Sequence, residues 1–141
     1  MVEAIVGMKG TGKTPLMLEE ISAEAEIETN NIVFIEYGRR LDRLITHKVR
    51  LIDITEYPVR GYDGLLAFLA GLNAKDYDIT HIYIDSISKI VGSDDLDGLT
   101  RFIADVERLA QQVDVKLTLT ISSDLEDLPE SIRAYALTSV D

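Results

Sequence analysis

The sequence predicts an α/β fold, a three-layer α/β/α sandwich built around a mainly parallel sheet of five or six strands. Short Val- and Ile-rich runs alternate along the chain with longer helical patterns. Most of these runs read as continuously apolar rather than alternating, as in strands covered by helices on both faces. No Pro/Ser-rich linker and no internal repeat divides the chain, so residues 1–141 read as a single domain of ordinary size.

Five runs are assigned to strands: Val2 to Val6, Ile32 to Ile35, Val49 to Ile54, Ile79 to Ile84 and Val115 to Ile121. Between them, Pro15 to Glu26 and Gly64 to Ala74 suit helices. A third helix is marked by Leu99, Ile103, Val106, Leu109 and Val113, which recur at three- and four-residue steps behind an acidic start at Ser93, Asp94 and Asp95.

Composition removes several classes of function. The chain carries 14 Lys+Arg against 25 Asp+Glu, a formal net charge of −11, and 46% hydrophobic residues are enough to fill one core. Nucleic acid is disfavoured by that field, although a small anion held locally is not. The longest uncharged run, Gly64 to Ala74, is 11 residues, short of the ~20 that a membrane span needs. Glu3 interrupts the amino terminus and no basic segment leads into an apolar one, so the expectation is a cytoplasmic protein without membrane attachment. With no cysteine, disulfides, thiol nucleophiles and zinc–cysteine sites are excluded, and two isolated histidines offer little to a transition metal.

The strongest motif is Gly7-Met8-Lys9-Gly10-Thr11-Gly12-Lys13-Thr14, which fits G-x-x-x-x-G-K-[ST] at every fixed position. It leaves one apolar run and opens a helical pattern, the setting that separates a phosphate-binding P-loop from a surface turn of similar composition. Glycines let the backbone curl with its N–H groups inward, and the helix start adds the positive end of its dipole. Lys13 then neutralises β- and γ-phosphate oxygens, and the Thr14 hydroxyl is offered to Mg²⁺. Pro15 follows, where a backbone N–H ordinarily faces the α-phosphate. Proline suits a first helical turn but has no N–H, and one lost bond to a charged acceptor is worth about 1.5 to 3 kcal/mol. The expectation is a weakened grip on the α-phosphate, which Lys9 offsets if it faces the ligand rather than solvent.

A second acidic site follows at His81-Ile82-Tyr83-Ile84-Asp85-Ser86, an apolar strand ending in aspartate. An Asp at the carboxyl end of a parallel strand projects into the crevice where such sheets bind ligands. Asp85 is therefore expected to hold Mg²⁺ through a water beside Thr14; alone, such an Asp equally caps a turn.

Taken with Ile32-Val33-Phe34-Ile35-Glu36 and Leu117-Thr118-Leu119-Thr120-Ile121-Ser122-Ser123, these motifs resemble the RecA/KaiC/DnaB-type ATPase core over nearly the whole chain. The resemblance implies ATP as nucleotide, and no Asn-Lys-x-Asp guanine signature contradicts it. It implies that Glu36 polarises the attacking water and that Ser122 or Ser123 is the sensor at the end of the strand after Asp85. Glu36 as an ordinary strand-end charge and Ser122 as a plain turn residue stay open. The segments where recombinases of this type contact DNA are short and acidic here, with Asp94, Asp95 and Asp97, then Asp124, Glu126 and Asp127. The resemblance also implies further strands than this chain supplies. The first strand would then stand at a sheet edge, so Ala136 to Val140 is expected to form a sixth strand beside it, or a second copy or other partner to cover it.

Other features have plainer readings. Arg39, Arg40 and Arg43 follow Glu36, either as a cationic finger for a transferring phosphate or as a solvated helix face. Thr55 to Asp63 lies at the expected ligand edge, but Pro58 and Gly61 already explain a turn. Ser93, Asp95, Asp97 and Gly98 imitate the start of a calcium loop and fail at Ala104, where a bidentate Glu is required; they suit a helix cap. His81 begins its strand, at the end opposite the site, and His47 stands alone. The expectation is a minimal Mg²⁺-dependent ATP-binding domain with slow ATP hydrolysis. The alternatives are a sensor or assembly subunit that binds ATP or ADP without turnover, and a small-molecule kinase.

Overall fold

The computed structural model describes residues 1–38 and 45–140. Their order is β1 (Val2–Gly7), α1 (Lys13–Ala25), β2 (Ile32–Glu36), β3 (Val49–Asp53), α2 (Gly61–Lys75), β4 (His81–Asp85), α3 (Ile87–Val91), α4 (Leu96–Val113), β5 (Lys116–Ser122), α5 (Glu130–Arg133) and β6 (Thr138–Val140). The six strands form one sheet in the order β3-β2-β4-β5-β1-β6, and every pairing is parallel.

Successive side chains of a strand point to opposite faces, and here both faces are covered. Val33, Ile35, Ile82, Ile84, Leu117 and Leu119 pack in the larger core with Leu65 and Leu69 of α2 and Phe102, Ile103 and Val106 of α4. Ile5, Phe34 and Tyr83 pack on the other face against Met17 and Ile21 of α1. This double burial is why apolar residues stand on both faces of the strands, with Glu3, Arg50 and Lys116 among the exceptions. It makes the fold a three-layer α/β/α sandwich, as the sequence predicts.

The expected sixth strand forms. β6 pairs with β1 through Ile5↔Thr138, Val6↔Ser139 and Gly7↔Val140, so the loop-bearing strand has a neighbour on each side. The differences from the sequence reading lie at element ends. Ile79, Val115 and Ile54 are buried but flank their strands, because an apolar residue in a connection also packs into the core. Residues 61–63, read as turn, already belong to α2. The short helices α3 and α5 have too few turns to print a period in the sequence and were not anticipated.

Candidate functional site

All strands run the same way, so Gly7, Glu36, Asp53, Asp85 and Ser122 finish at one edge of the sheet. The loop between β1 and α1 lies over that edge. Gly10 and Gly12 take φ of +84° and +100°, conformations that side chains with a Cβ resist. Gly7 is constrained differently, since a Cβ there would come within 2.6 Å of both the Val140 carbonyl oxygen and Thr11 Oγ1. The loop folds around the Met8 carbonyl oxygen, which accepts from Thr11 N at 3.2 Å, Thr11 Oγ1 at 2.6 Å and Lys13 Nζ at 3.0 Å.

Thr14, in the first turn of α1, donates its hydroxyl to Asp85 Oδ2 at 2.8 Å, while Thr120 of β5 donates to Asp85 Oδ1 at 2.6 Å. β5 supplies this second donor because it lies between β1 and β4. Asp85 is 3% exposed and Thr120 fully buried, so the carboxylate is held from both sides in a low-dielectric setting. Lys13 is buried, which pushes its ammonium pKa below the ordinary lysine value, with the Asp85 charge acting the other way.

A cleft of about 480 Å³ opens over this edge, lined by Lys9, Gly10, Gly12, Lys13, Thr14 and Pro15 from the loop and by Asp85, Ser86, Ser88, Lys89 and Ser122 opposite. Thus Lys9, Lys13, Thr14, Pro15, Asp85 and Ser122 converge on one cavity. Gly7, Met8 and Thr11 shape the loop and are not on its wall. Glu36 is 1% exposed and is likewise absent from the wall, although it pairs in register with Asp85 on the neighbouring strand. Asp53, next in that row, is engaged locally, accepting from Gly38 N at 2.9 Å and Thr55 N at 3.0 Å. Ser123 N donates to the Gly7 carbonyl at 3.1 Å, which ties the end of β5 to the loop. Arg39, Arg40 and Arg43 lie outside the described residues.

Ser86, Ser88, Lys89 and Thr120 went unnoticed as site residues. Thr120 left a faint signal, a hydroxyl residue two positions before Ser122 in a strand that also holds Lys116 and Thr118. Lys89 left none, because its position depends on the single turn of α3.

Thr14 and Asp85 together offer a hydroxyl and a carboxylate, hard oxygen donors suited to Mg²⁺. Among the described residues no group of three or more His, Asp or Glu is arranged to hold a metal ion by itself. Two protein donors suffice only for a cation that also takes phosphate oxygens and water, which is how Mg²⁺ is commonly held. Asp95 caps α4 by accepting from Asp97 N at 3.2 Å, in line with the cap reading of that acidic segment. No helix among the described residues is long and apolar enough to cross a membrane. Comparison with protein-family models and with curated proteins finds no match for this chain.

Proposed function

We propose that this domain binds Mg²⁺·ATP in the cleft at the carboxyl edge of the sheet and hydrolyses it slowly, in the manner of the RecA-type core that its motifs resemble. The observation that carries the reading is the 2.8 Å bond between Thr14 and Asp85. It joins the first turn of the loop helix to the end of β4, so the two oxygen donors expected to share a phosphate-bound Mg²⁺ already lie side by side. In this reading the N–H groups of the loop and Lys13 take the β- and γ-phosphates, with Lys13 exchanging its bond to the Met8 carbonyl for phosphate oxygens. Lys9 and Lys89 add positive charge on the two walls of the cleft.

Bound Mg²⁺ would neutralise charge developing on the β- and γ-oxygens. Thr14 and Asp85 would orient it, Thr120 holds the Asp85 carboxylate, and Ser122 on the cleft wall would donate to a terminal phosphate oxygen. Glu36 is the residue of this edge suited to polarising a water, one strand from Asp85.

A second reading, binding without turnover, draws on the burial of Glu36 away from the cleft wall and on the missing N–H of Pro15. One set of experiments separates them: calorimetry of Mg²⁺·ATP and Mg²⁺·ADP on wild type and Lys13→Ala, with phosphate release measured in the same samples. Lysine-dependent binding with turnover that Glu36→Gln abolishes supports the ATPase; lysine-dependent binding without turnover supports the sensor. No binding to the wild type overturns both.

A further inference from the structure

A second cavity of about 310 Å³ adjoins the phosphate cleft, and Ser88 and Ser122 line both, so the two spaces share a wall. The cavity lies over the end of β5 and the starts of α3 and α4. Buried Ile87, Leu99 and Ile121 give it an apolar floor, while Tyr62, Ser93, Ser123 and Asp94 bring polar groups to it. Its volume is at the small end of the range of about 300 to 1,000 Å³ typical of small-molecule sites.

Its position and charge narrow what it would hold. Ser88 and Ser122 line the cleft together with Thr14 and Asp85, and in the ATP reading the terminal phosphate sits beside the Mg²⁺ that Thr14 and Asp85 would hold. No lysine, arginine or histidine lines the second cavity, and its one ionised side chain is the carboxylate of Asp94. Tyr62 is a neutral donor at physiological pH, and burial, then the Asp95 and Asp94 charges, push its hydroxyl further up, to about 12. An anionic guest would meet a like charge with no cation to answer it; a neutral or cationic alcohol would find hydroxyl partners and a proton acceptor.

We propose that this cavity is the acceptor subsite for phosphoryl transfer from ATP to the hydroxyl group of a small neutral or cationic alcohol, with Asp94 as proton acceptor. This rests on the ATP reading of the adjoining cleft and gives that cleft a substrate other than water. The acceptor oxygen bonds to the γ-phosphorus as the bond from that phosphorus to the β–γ bridging oxygen breaks. ADP leaves with the bonding pair, and the acceptor's proton passes to the Asp94 carboxylate and then to solvent. An alcohol that fills the cavity displaces water from that approach, so transfer competes with hydrolysis only when the cavity is occupied.

The test compares ADP formed with inorganic phosphate released, using the 141-residue chain and Mg²⁺·ATP with glycerol, choline or glycerate as neutral, cationic and anionic probes. The expected result is ADP in excess of phosphate with glycerol or choline and not with glycerate, the difference recovered as a phosphate monoester by ³¹P NMR. Asp94→Asn should lower the ester yield about 100-fold, the lower end of what a positioned proton acceptor contributes. Leu96→Trp, at the partly exposed rim, should lower it by occupying the space, and circular dichroism confirms that both variants fold. ADP and phosphate in equal amounts with all three probes, transfer to glycerate alone, or phosphate on the chain itself would each overturn the proposal. Calorimetry on the same samples keeps the two failures apart: absent Mg²⁺·ATP binding removes the nucleotide reading, whereas binding without ester removes only the acceptor subsite.

Discussion

Gly7 occupies a place where one methyl group has no room, between Thr11 Oγ1 and the Val140 carbonyl oxygen, each 2.6 Å from where a Cβ would lie. The second neighbour is backbone of β6 and cannot rotate away. Gly7→Ala should therefore cost about 1 to 3 kcal/mol of stability, as overpacking does, and lower the midpoint of urea unfolding; an unchanged midpoint would mean that β6 is held loosely. Gly10 and Gly12 have open space, and their constraint is the positive φ alone. The motif was legible in the sequence, but which glycine serves space and which serves dihedral was not, because the spatial one depends on a strand 133 residues away. The same limit hid Thr120. Its hydroxyl is one of the two side-chain donors that hold Asp85, so Thr120→Val should leave a buried carboxylate oxygen short of a partner. A loss of about 1 to 3 kcal/mol is expected, together with weaker Mg²⁺-dependent ATP binding. Thr120→Ser, which keeps the donor, should recover the binding, and a Val variant indistinguishable from wild type in both measurements would remove Thr120 from the site.

At the scale of elements, the strands could be read because burial on both faces gathers apolar residues into short dense runs, a pattern that survives without knowledge of neighbours. The sixth strand followed from a need rather than a pattern: a bare edge beside the loop strand had to be covered, and Thr138–Val140 pairs there. The packing of α1 on the sheet could not be read, since it joins residues far apart in the sequence. His81 of β4 lies under α1, its ring stacked on Tyr83 and its Nε2 3.4 Å from Glu24 Oε2, with Lys116 paired to it on β5. Burial lowers its pKa from the usual value; Glu24 and Glu20 oppose the shift, and Lys116 adds to it. Between the lowered folded value and the unfolded value of about 6.5, the unfolded chain holds more protons. Stability must then fall as pH drops through that window. Urea midpoints at pH 7.5 and pH 5 should differ more for wild type than for His81→Gln, and equal differences would show that α1 packs over His81 at no electrostatic cost.

The whole molecule carries its net charge of −11 on a fold in which the carboxyl edge of the sheet also gathers acids: Glu36, Asp53 and Asp85 at strand ends, then Asp94, Asp95, Asp97, Asp124, Glu126 and Asp127 in the segments that follow. The loop, with Lys9 and Lys13, and α3, with Lys89, set local positive charge against that background. This combination favours a compact, Mg²⁺-neutralised anion over an extended polyanion, whose charges would reach the acidic surroundings. The same imbalance acts on folding. The ion pairs Lys48–Glu26 and Arg50–Asp76 are substantially exposed and contribute little, whereas repulsion among excess carboxylates acts over the full surface. Raising NaCl from 0.01 to 0.15 M shortens the screening length from about 30 Å to about 8 Å, which removes long-range repulsion and leaves contact pairs comparatively intact. The melting temperature of the ligand-free protein should rise over that interval, by more than it does when Lys replaces Asp124 and Glu126 together. A fall instead would mean that close ion pairs, and not the net charge, dominate the electrostatics of the fold.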